Sequence, residues 1–265
     1  MPIVRVAVVG NLSLDLVDGG PPRPGGPPHY AARALAALGA TATVRVKCAG
    51  ADRELLLPPL EALGLPIEWR AGATTASYAF SYVGDVRTME VRELGSHWSP
   101  DEVAGLNADW VHVGALFQGE FPAETLAALA ETGVRLSFDG QGLVRPAETG
   151  PLVLRPEAQT AFLRYVSVLK LSEEEALALV GGLDEQPLSE LGVPEVIVTL
   201  GSRGCIVVVE GQLFRVPADP LDVEPTGAGD AFAAAYVVER SRGNAPLQAA
   251  ENATQLVHGL LAGAR

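Results

Sequence analysis

Residues 223–232 read Val-Glu-Pro-Thr-Gly-Ala-Gly-Asp-Ala-Phe, a turn of small residues that leads directly into an Ala-rich helical pattern. Glycines let backbone N–H groups approach an anion closely, and a helix N-terminus adds a partial positive charge. The stretch therefore predicts a cradle for a phosphate or another oxyanion. Asp230, in the same turn, could accept the proton of an attacking hydroxyl while the amides neutralise charge on a transferring phosphoryl group. A helix cap with glycines for tight packing would use the same residues.

Short β-branched runs alternate with Ala- and Leu-rich stretches along the rest of the chain. Strand patterns cover Val4–Val9, Thr43–Cys48, Trp110–Val113, Arg135–Phe138, Tyr165–Leu169, Val196–Leu200 and Cys205–Val209. Helical patterns cover Pro28–Leu38, Leu55–Leu63, Pro122–Thr132, Glu173–Val180, Ala228–Arg240 and Leu247–Ala262. This alternation predicts an α/β fold whose mainly parallel sheet is covered by helices on both faces. The length of 265 residues fits a single domain over residues 1–265.

One segment, residues 74–94, departs from this alternation. Apolar and polar residues alternate on both sides of Gly84-Asp85, which is typical of a β-hairpin. The Gly- and Pro-rich residues 12–24 could supply further backbone to the same unit. Within an α/β chain, such a hairpin could be a lid over a ligand site or an ordinary edge hairpin. An exposed edge of the lid could also pair two copies into a homodimer.

Composition excludes several classes of partner. The net charge of −13 argues against broad contact with nucleic acid or an anionic membrane surface, because both need a basic face. No segment supplies about 18 uninterrupted apolar residues, and the first ten residues lack the pattern of a signal peptide. The two cysteines, Cys48 and Cys205, are too few for a disulfide framework. We therefore expect a soluble cytoplasmic protein with no nucleic-acid and no membrane partner.

The string Thr226-Gly227-Ala228-Gly229-Asp230 resembles the C-terminal signature of the ribokinase-like, PfkB-type carbohydrate kinases. That signature places an Asp and one variable residue before Thr-Gly-Ala-Gly-Asp, and here Glu224 replaces the first Asp. The resemblance extends over nearly the whole chain and implies a three-layer α/β/α fold with a small β lid. It also implies that Gly227, Ala228 and Gly229 form the anion hole and that Asp230 is the catalytic base.

The N-terminal signature of the same family is a Gly-Gly pair that leads into an Ala-rich helix, and residues 25–39 are similar to it. Gly25 and Gly26 would then lie at the substrate. Tyr30 stands where the family usually has Asn, which weakens an assignment to ribose or fructose. Asp15 matches a position from which the family binds substrate hydroxyls, and Asn11 lies in the same segment. Read without the family, Asp15 could simply terminate the first strand.

The resemblance also predicts the donor side of the site, where ATP would bind. The turn after a strong strand pattern would place Thr199, Gly201 and Gly204 near ATP, although the same letters describe an ordinary hairpin turn. Thr226 in the Gly-rich turn, and Asn252 in the last helix, would complete the nucleotide site.

Residues 170–175 resemble the Asn-x-x-Glu element of the family, with Ser172 in the Asn position. Glu175 could hold Mg²⁺ through water, and a capped acidic first helical turn would explain the same residues. Residues 138–145 follow a strand end, where open α/β sheets bind ligands. Gln141 replaces the usual Asn there, which suggests a specialised substrate pocket and the inositol-kinase-like branch.

Two functional hypotheses follow from these motifs. The first is ATP-dependent transfer of a phosphoryl group to a hydroxyl of a sugar or polyol, with Asp230 as base. The second is a non-catalytic ligand-binding or regulatory member of the same fold, suggested by Tyr30, Glu224 and Ser172. A nicotinamide-dependent enzyme is disfavoured, because Gly10 is not followed by a Gly-x-Gly-x-x-Gly turn.

Overall fold

The computed structural model describes residues 4–83, 86–157, 160–221, 223 and 226–263. The Gly84-Asp85 turn and the signature residues Glu224 and Pro225 therefore lie outside the described residues. None of the described helices is long and apolar enough to span a membrane.

Fourteen strands are present in the described part of the chain. In chain order they are β1 (Val6–Asn11), β2 (Ser13–Val17), β3 (Arg23–Gly25), β4 (Ala42–Ala49), β5 (Ile67–Gly72), β6 (Ala76–Val83), β7 (Val86–Glu93), β8 (Trp110–Gly114), β9 (Arg135–Asp139), β10 (Gly150–Pro151), β11 (Val166–Ser172), β12 (Glu195–Thr199), β13 (Cys205–Val209) and β14 (Gln212–Val216).

The helices of the described residues vary in length from one turn to more than four. In chain order they are α1 (Pro27–Ala37), α2 (Arg53–Leu56), α3 (Pro58–Glu61), α4 (Pro100–Val103), α5 (Ala123–Glu131), α6 (Gln141–Val144), α7 (Glu173–Val180), α8 (Glu185–Ser189), α9 (Ala228–Ser241) and α10 (Pro246–Ala262). Single 3₁₀ turns occupy Gly50–Asp52, Ala161–Tyr165 and Gly201–Arg203.

Nine strands form a large sheet in the order β14-β13-β12-β11-β9-β8-β1-β4-β5. The pairs from β12 to β5 are parallel, and only β13 and β14 run antiparallel to their neighbours. Central β1 is apolar at every position from Val6 to Val9 because its alternate side chains enter two different cores. The prediction of a three-layer α/β/α fold with a mainly parallel sheet is confirmed.

Five strands form a second, smaller sheet in the order β10-β7-β6-β2-β3. The predicted hairpin corresponds to β6 and β7, and the segment 12–24 supplies β2 and β3. Tyr78, Phe80 and Val91 of this sheet pack with Leu116 and Phe117 from the loop after β8. The small sheet is thereby attached next to the carboxyl ends of the parallel strands, where ligand sites of such sheets lie.

The prediction of one helix over Leu55–Leu63 is wrong. The structure divides this segment into α2 and α3, which are separated at Leu57. Pro58 and Pro59 lack a backbone N–H, so they start a new helix at its first positions and cannot continue the preceding one.

Candidate active site

A cleft of about 970 Å³ lies between the small sheet and the carboxyl ends of the parallel strands. Three groups of predicted site residues line it together: the turn and helix start at Thr226–Asp230, the acceptor-side residues Asp15 and Gly26, and the donor-side residues Thr199, Gly201 and Gly204. Gln141 and Glu175 lie between these groups. The fold therefore brings into one cavity residues that are as much as 215 positions apart in the chain.

Asp230 lies in the first turn of α9, which begins after Gly227. Its carboxyl group is almost fully buried, and Gln141 Nε2 donates to Asp230 Oδ1 at 3.4 Å. Burial raises the pKa of Asp230, and the nearby carboxylate of Asp139 raises it further. Lys170 and Arg145 oppose both effects, and the resulting pKa is about 7. A carboxyl group with a pKa near neutrality is suited to accept a proton during a reaction at physiological pH.

A buried ion pair stands beside Asp230. Lys170 Nζ lies 3.3 Å from Asp139 Oδ2, and the backbone N–H of Gln141 donates to Asp139 Oδ1 at 3.1 Å. Burial lowers the pKa of Lys170, but the carboxylates of Asp139, Glu175 and Asp230 together raise it above its usual value. A Cβ added at Gly229 would lie 2.9 Å from Lys170 Nζ, so the ammonium group borders the predicted anion hole. Lys170 is therefore a fixed positive charge at the place where a phosphoryl group would lie.

Glu175 caps its own helix and also faces the cleft. Ser172 Oγ accepts from the N–H of Glu175 at 3.2 Å, and Glu175 Oε2 accepts from the N–H of Ser172 at 2.8 Å, which is a capping box. Glu175 Oε1 lies 4.0 Å from a terminal nitrogen of Arg145. Burial raises the pKa of Glu175. The helix-cap interpretation of the acidic turn is confirmed, and the capping carboxylate also lines the cleft, whereas a role of Glu175 in holding Mg²⁺ stays a prediction.

Arg145 is a cation of the cleft whose hydrogen-bonding capacity is only partly used. Its side chain is 16% exposed, and its Nε is buried without a hydrogen-bond partner among the described residues. A buried guanidinium N–H without an acceptor is costly, and phosphate oxygens are the acceptors that a guanidinium matches best. The side chain is thus suited to a phosphate-bearing ligand in this part of the cleft.

On the opposite wall, Asp15 of β2 is held by two hydroxyl groups. Ser13 Oγ donates to Asp15 Oδ1 at 2.7 Å, and Tyr30 Oη donates to Asp15 Oδ2 at 3.4 Å. A Cβ at Gly25 would lie only 2.1 Å from Asp15 Oδ2, so a glycine is needed there for the carboxylate to keep its place. Gly25 therefore supports the Asp15 carboxylate, whereas the adjacent Gly26 lines the cleft directly.

Tyr30 joins the two walls of the cleft. A Cβ added at Gly227 would lie 2.1 Å from the Tyr30 ring, and Gly227 has φ 78°, in the left-handed region. The ring therefore covers the face of the Gly-rich turn while its hydroxyl reaches Asp15. The aromatic residue that replaces the usual Asn fills the space between the acceptor side and the anion hole.

Three predicted site residues do not line the cleft: Gly25, which lies behind the Asp15 carboxylate, and Asn11 and Asn252. Asn11 is buried behind it, where its Nδ2 donates to Ser96 O at 2.8 Å and its N–H donates to Glu120 Oε1 at 3.3 Å. The cleft position belongs to Ser13, two residues on, because Ser13 and Asp15 share one face of β2. Asn252 donates to Glu239 Oε2 at 2.6 Å, and the face of α10 that lines the cleft carries Thr254, Val257 and His258 instead.

Four residues of the cleft and its support were not predicted from the motifs. They are Ser13, Asp139, Arg145 and Lys170. Asp139 is the last residue of β9 and Lys170 lies near the end of β11, and charged residues at the carboxyl ends of predicted parallel strands are the signal by which they could have been found. Arg145 ends the segment 138–145, which follows a strand end, so its position in the chain was a signal too, whereas Ser13 carries none because its role depends on which neighbour it faces.

Fold and site together define a ribokinase-like α/β protein in which a Gly-rich turn at a helix N-terminus and the Asp15 carboxylate line one cleft. The description "pfkB family carbohydrate kinase" belongs to the family whose profile matches residues 14–256. That match covers most of the chain, and the chain belongs to the pfkB family of carbohydrate kinases.

Relatives agree with this membership over part of their length. A cytidine kinase of Thermococcus kodakarensis (strain ATCC BAA-918 / JCM 12380 / KOD1) is 34% identical over 136 residues, which cover 48% of this chain and 47% of that kinase. A fructokinase of Klebsiella pneumoniae is 32% identical over 137 residues, which cover 47% and 44% respectively. The chain spans about half the length of the curated relatives it matches.

Solved structures share the fold over almost the full chain. A pyrophosphate-dependent kinase of the ribokinase family, complexed with a pyrophosphate analog and myo-inositol, has a TM-score of 0.86 and 24% identity, and covers 97% of this chain and 95% of its own. A Burkholderia thailandensis nucleoside kinase in complex with inosine has a TM-score of 0.75 and 19% identity, with coverages of 97% and 91%. At these identities the likeness establishes the fold.

Proposed function

We propose that the protein transfers the γ-phosphoryl group of ATP to a hydroxyl group of a sugar, a polyol or a related small molecule. The observation that carries this proposal is the buried Asp230, with a pKa near 7, at the start of a helix whose Gly-rich turn faces Asp15 across one cleft. A purely ligand-binding member of the fold would have no need for a base at this position, so the same observation disfavours the non-catalytic hypothesis.

In the proposed reaction the acceptor hydroxyl oxygen attacks the γ-phosphorus, and its proton passes to the Asp230 carboxylate. The bond between the γ-phosphorus and the bridging oxygen breaks, and ADP leaves with the electron pair of that bond. Negative charge on the transferring group is stabilised by the amides of Gly227, Ala228 and Gly229 and by the ammonium group of Lys170. Asp15 and Ser13 orient the acceptor by accepting from its other hydroxyls.

The donor side fits a phosphate chain. Arg145 has a buried N–H without an acceptor among the described residues, and Lys170 borders the turn at Gly229. Gly201 leaves the backbone open to a ligand, Gly204 lines the cleft where it packs closely against the backbone of Val216, and Leu221 and Val257 add an apolar lining. These features support a nucleoside triphosphate, with its base against the apolar part of the cleft.

Mg²⁺ would be held mainly by the donor phosphates. Among the described residues, no group of three or more His, Cys, Asp and Glu is arranged to hold a metal ion. Glu175 offers an oxygen ligand at the cleft wall and would contact the ion through water, as suits a cation that retains several waters. Bound there, the ion would withdraw charge from the donor phosphates.

Pyrophosphate is the second candidate donor. Two cations, the buried Lys170 and the partly buried Arg145, line the cleft, and pyrophosphate presents charge to them without requiring the apolar lining. Parallel assays with Mg-ATP and Mg-pyrophosphate separate the two donors. If kcat/KM for one donor exceeds that for the other by more than tenfold, that donor is the one the cleft uses.

The small sheet would act as a lid by closing over the acceptor, which excludes water and limits wasteful hydrolysis of the donor. Pairing of two copies along an edge of this sheet stays a prediction, as does a cytoplasmic location.

Acceptor-dependent ADP release over a panel of sugars, polyols and nucleosides tests the proposed activity. Asp230→Asn should lower kcat by about 10²–10⁴-fold, because general-base catalysis contributes that much. Asp101→Asn is the matched control, since Asp101 is an exposed carboxylate in the first turn of α4. An Asp230→Asn variant as active as the control would exclude Asp230 as the base.

A further inference from the structure

A second, smaller cavity of about 230 Å³ adjoins the cleft. It shares Asp15, Tyr30 and Gly227 with the cleft and extends beyond them to residues that no motif predicted. The charged residues that line it are Asp15, Arg23 and Arg33. We call this cavity the arginine crevice.

Secondary structure places both arginines next to the acceptor-side residues. Arg23 is the register partner of Asp15 in the antiparallel pair of β2 and β3, so the two side chains leave the same face of the small sheet. Arg33 follows Tyr30 by three residues on α1, so both lie on one face of that helix. The crevice is therefore an extension of the acceptor side of the cleft.

Within the part of the chain that the structure describes, neither Arg23 nor Arg33 forms an ion pair or a side-chain hydrogen bond. Asp15 is already engaged by the hydroxyls of Ser13 and Tyr30. Two guanidinium groups thus share a cavity with one carboxylate, in a chain whose net charge is −13. This local excess of positive charge would favour an anionic ligand.

The rest of the crevice is largely apolar. Its other walls include Val17, Phe80, Val257, Leu260 and Leu261. Arg23 and Arg33 are exposed, so water and salt screen their attraction for an anion, and paired hydrogen bonds rather than a low dielectric would hold it there. Guanidinium groups also match carboxylate and phosphate oxygens with paired hydrogen bonds.

We propose that the acceptor carries an anionic group, a carboxylate or a phosphate, which binds Arg23 and Arg33 in the arginine crevice. The substrate would then be a sugar acid, a sugar phosphate or a polyol phosphate rather than a neutral sugar. This inference rests on the proposed kinase activity and narrows its acceptor class. Tyr30 marks the boundary, with the reacting hydroxyl on the side of Asp230 and the anionic group on the side of the arginines.

Matched pairs of acceptors test the proposal. The wild-type protein would be assayed with gluconate against sorbitol, fructose 6-phosphate against fructose, and a myo-inositol phosphate against myo-inositol. The expected result is at least a tenfold higher kcat/KM for the anionic member of one pair. The double variant Arg23→Gln/Arg33→Gln should lower that ratio by about 10–100-fold, mainly through the KM of the anionic acceptor, because charged hydrogen bonds are lost.

Arg5→Gln is the matched control, since Arg5 is exposed and its side chain has no partner among the described residues. The control should keep the wild-type ratio, and raising the salt concentration should lower the ratio in the wild type more than in the double variant. A ratio that is the same in the double variant and the control would overturn the proposal.

Failure of the inference and failure of the proposed activity give different results. Phosphorylation of a neutral acceptor with none of its anionic partner overturns the inference alone. If no acceptor is phosphorylated, the proposed activity fails. The shift in melting temperature caused by gluconate and by inorganic phosphate then shows whether the arginine crevice binds anions. Stabilisation that the double variant loses supports an anion site there, whereas equal stabilisation of both proteins overturns it. If the added anions compete with ATP and leave the KM of the acceptor unchanged, the crevice does not bind the anionic group of the acceptor, and the proposal is overturned.

Discussion

Gly227→Ala tests whether the Gly-rich turn depends on the Tyr30 ring. Gly227 has φ 78°, a conformation that costs a residue with a Cβ about 1–2 kcal/mol. The new methyl group would also lie 2.1 Å from the ring, which forces a shift that costs about 1–3 kcal/mol more. The free energy of unfolding should therefore fall by about 2–5 kcal/mol, and the melting temperature by about 5–15 °C for a chain of this size.

A double-mutant cycle separates the two costs. In a Tyr30→Ala background, the clash with the ring is absent and only the backbone cost remains, so Gly227→Ala should cost about 1–2 kcal/mol there. In a Tyr30→Phe background the ring stays and the hydroxyl bond to Asp15 is lost, so the full cost should return. Urea unfolding of the three single variants, the two double variants and the wild type measures each term. Equal costs of Gly227→Ala in all three backgrounds would refute the contact between the ring and the turn.

Three further predictions concern charges and caps. In the wild type, kcat/KM should rise with pH to a plateau above about 7, because Asp230 must lose its proton to act as base. Asp139→Asn removes a negative charge that raises the pKa of Asp230, so the acidic limb of the pH profile should move to lower pH. An acidic limb that stays in place or moves to higher pH contradicts the assignment of Asp230 as base. Glu120 is fully buried, and burial raises its pKa to about 8, against the opposing effect of the N–H groups of Leu116, Asn11 and Phe117. Because the folded protein keeps this proton at pH values where the unfolded chain has lost it, the free energy of unfolding should fall as pH rises from about 4.5 to about 8; Glu120→Gln should flatten that fall, and denaturant titrations at a series of pH values show whether it does. Ser172→Ala should lower the free energy of unfolding by about 1 kcal/mol through loss of the capping box, with Ser241→Ala as the comparison at a helix C-terminus; no difference between the two would argue against the cap.

Helices and strands were predicted correctly from the sequence wherever the pattern of apolar residues and the turn-forming residues indicated the same element. The alternation of strand and helix patterns predicted a mainly parallel sheet covered on both faces, because parallel neighbours need a crossover connection that is usually a helix. The helix over residues 55–63 was predicted from apolar spacing alone, and the two prolines overrode it. The presence and the type of each helix or strand were thus predicted better than the breaks within them, such as the one between α2 and α3.

The candidate site likewise has features that are local in the sequence and features that depend on tertiary contacts. The string at 226–230 predicted an anion cradle and its acid before any coordinates, because the spacing of glycines and a helix start is a local property. The replacement of Asn by Tyr at position 30 was visible too. Its contact with Gly227 was not, because the two residues are 197 positions apart and meet only when α1 packs against α9.

By itself, therefore, the sequence determined the layered α/β architecture and the Gly-rich turn that starts a helix at Asp230, both of which depend on neighbours within a few residues. Only the tertiary structure decided that Ser13 rather than Asn11 faces the cleft and that Lys170 pairs with Asp139 beside Asp230. It also placed Arg23 and Arg33 in one crevice with Asp15. The physical reason is that the charge and the access of a buried group depend on strand register and helix packing, which bring together residues that are distant in the chain.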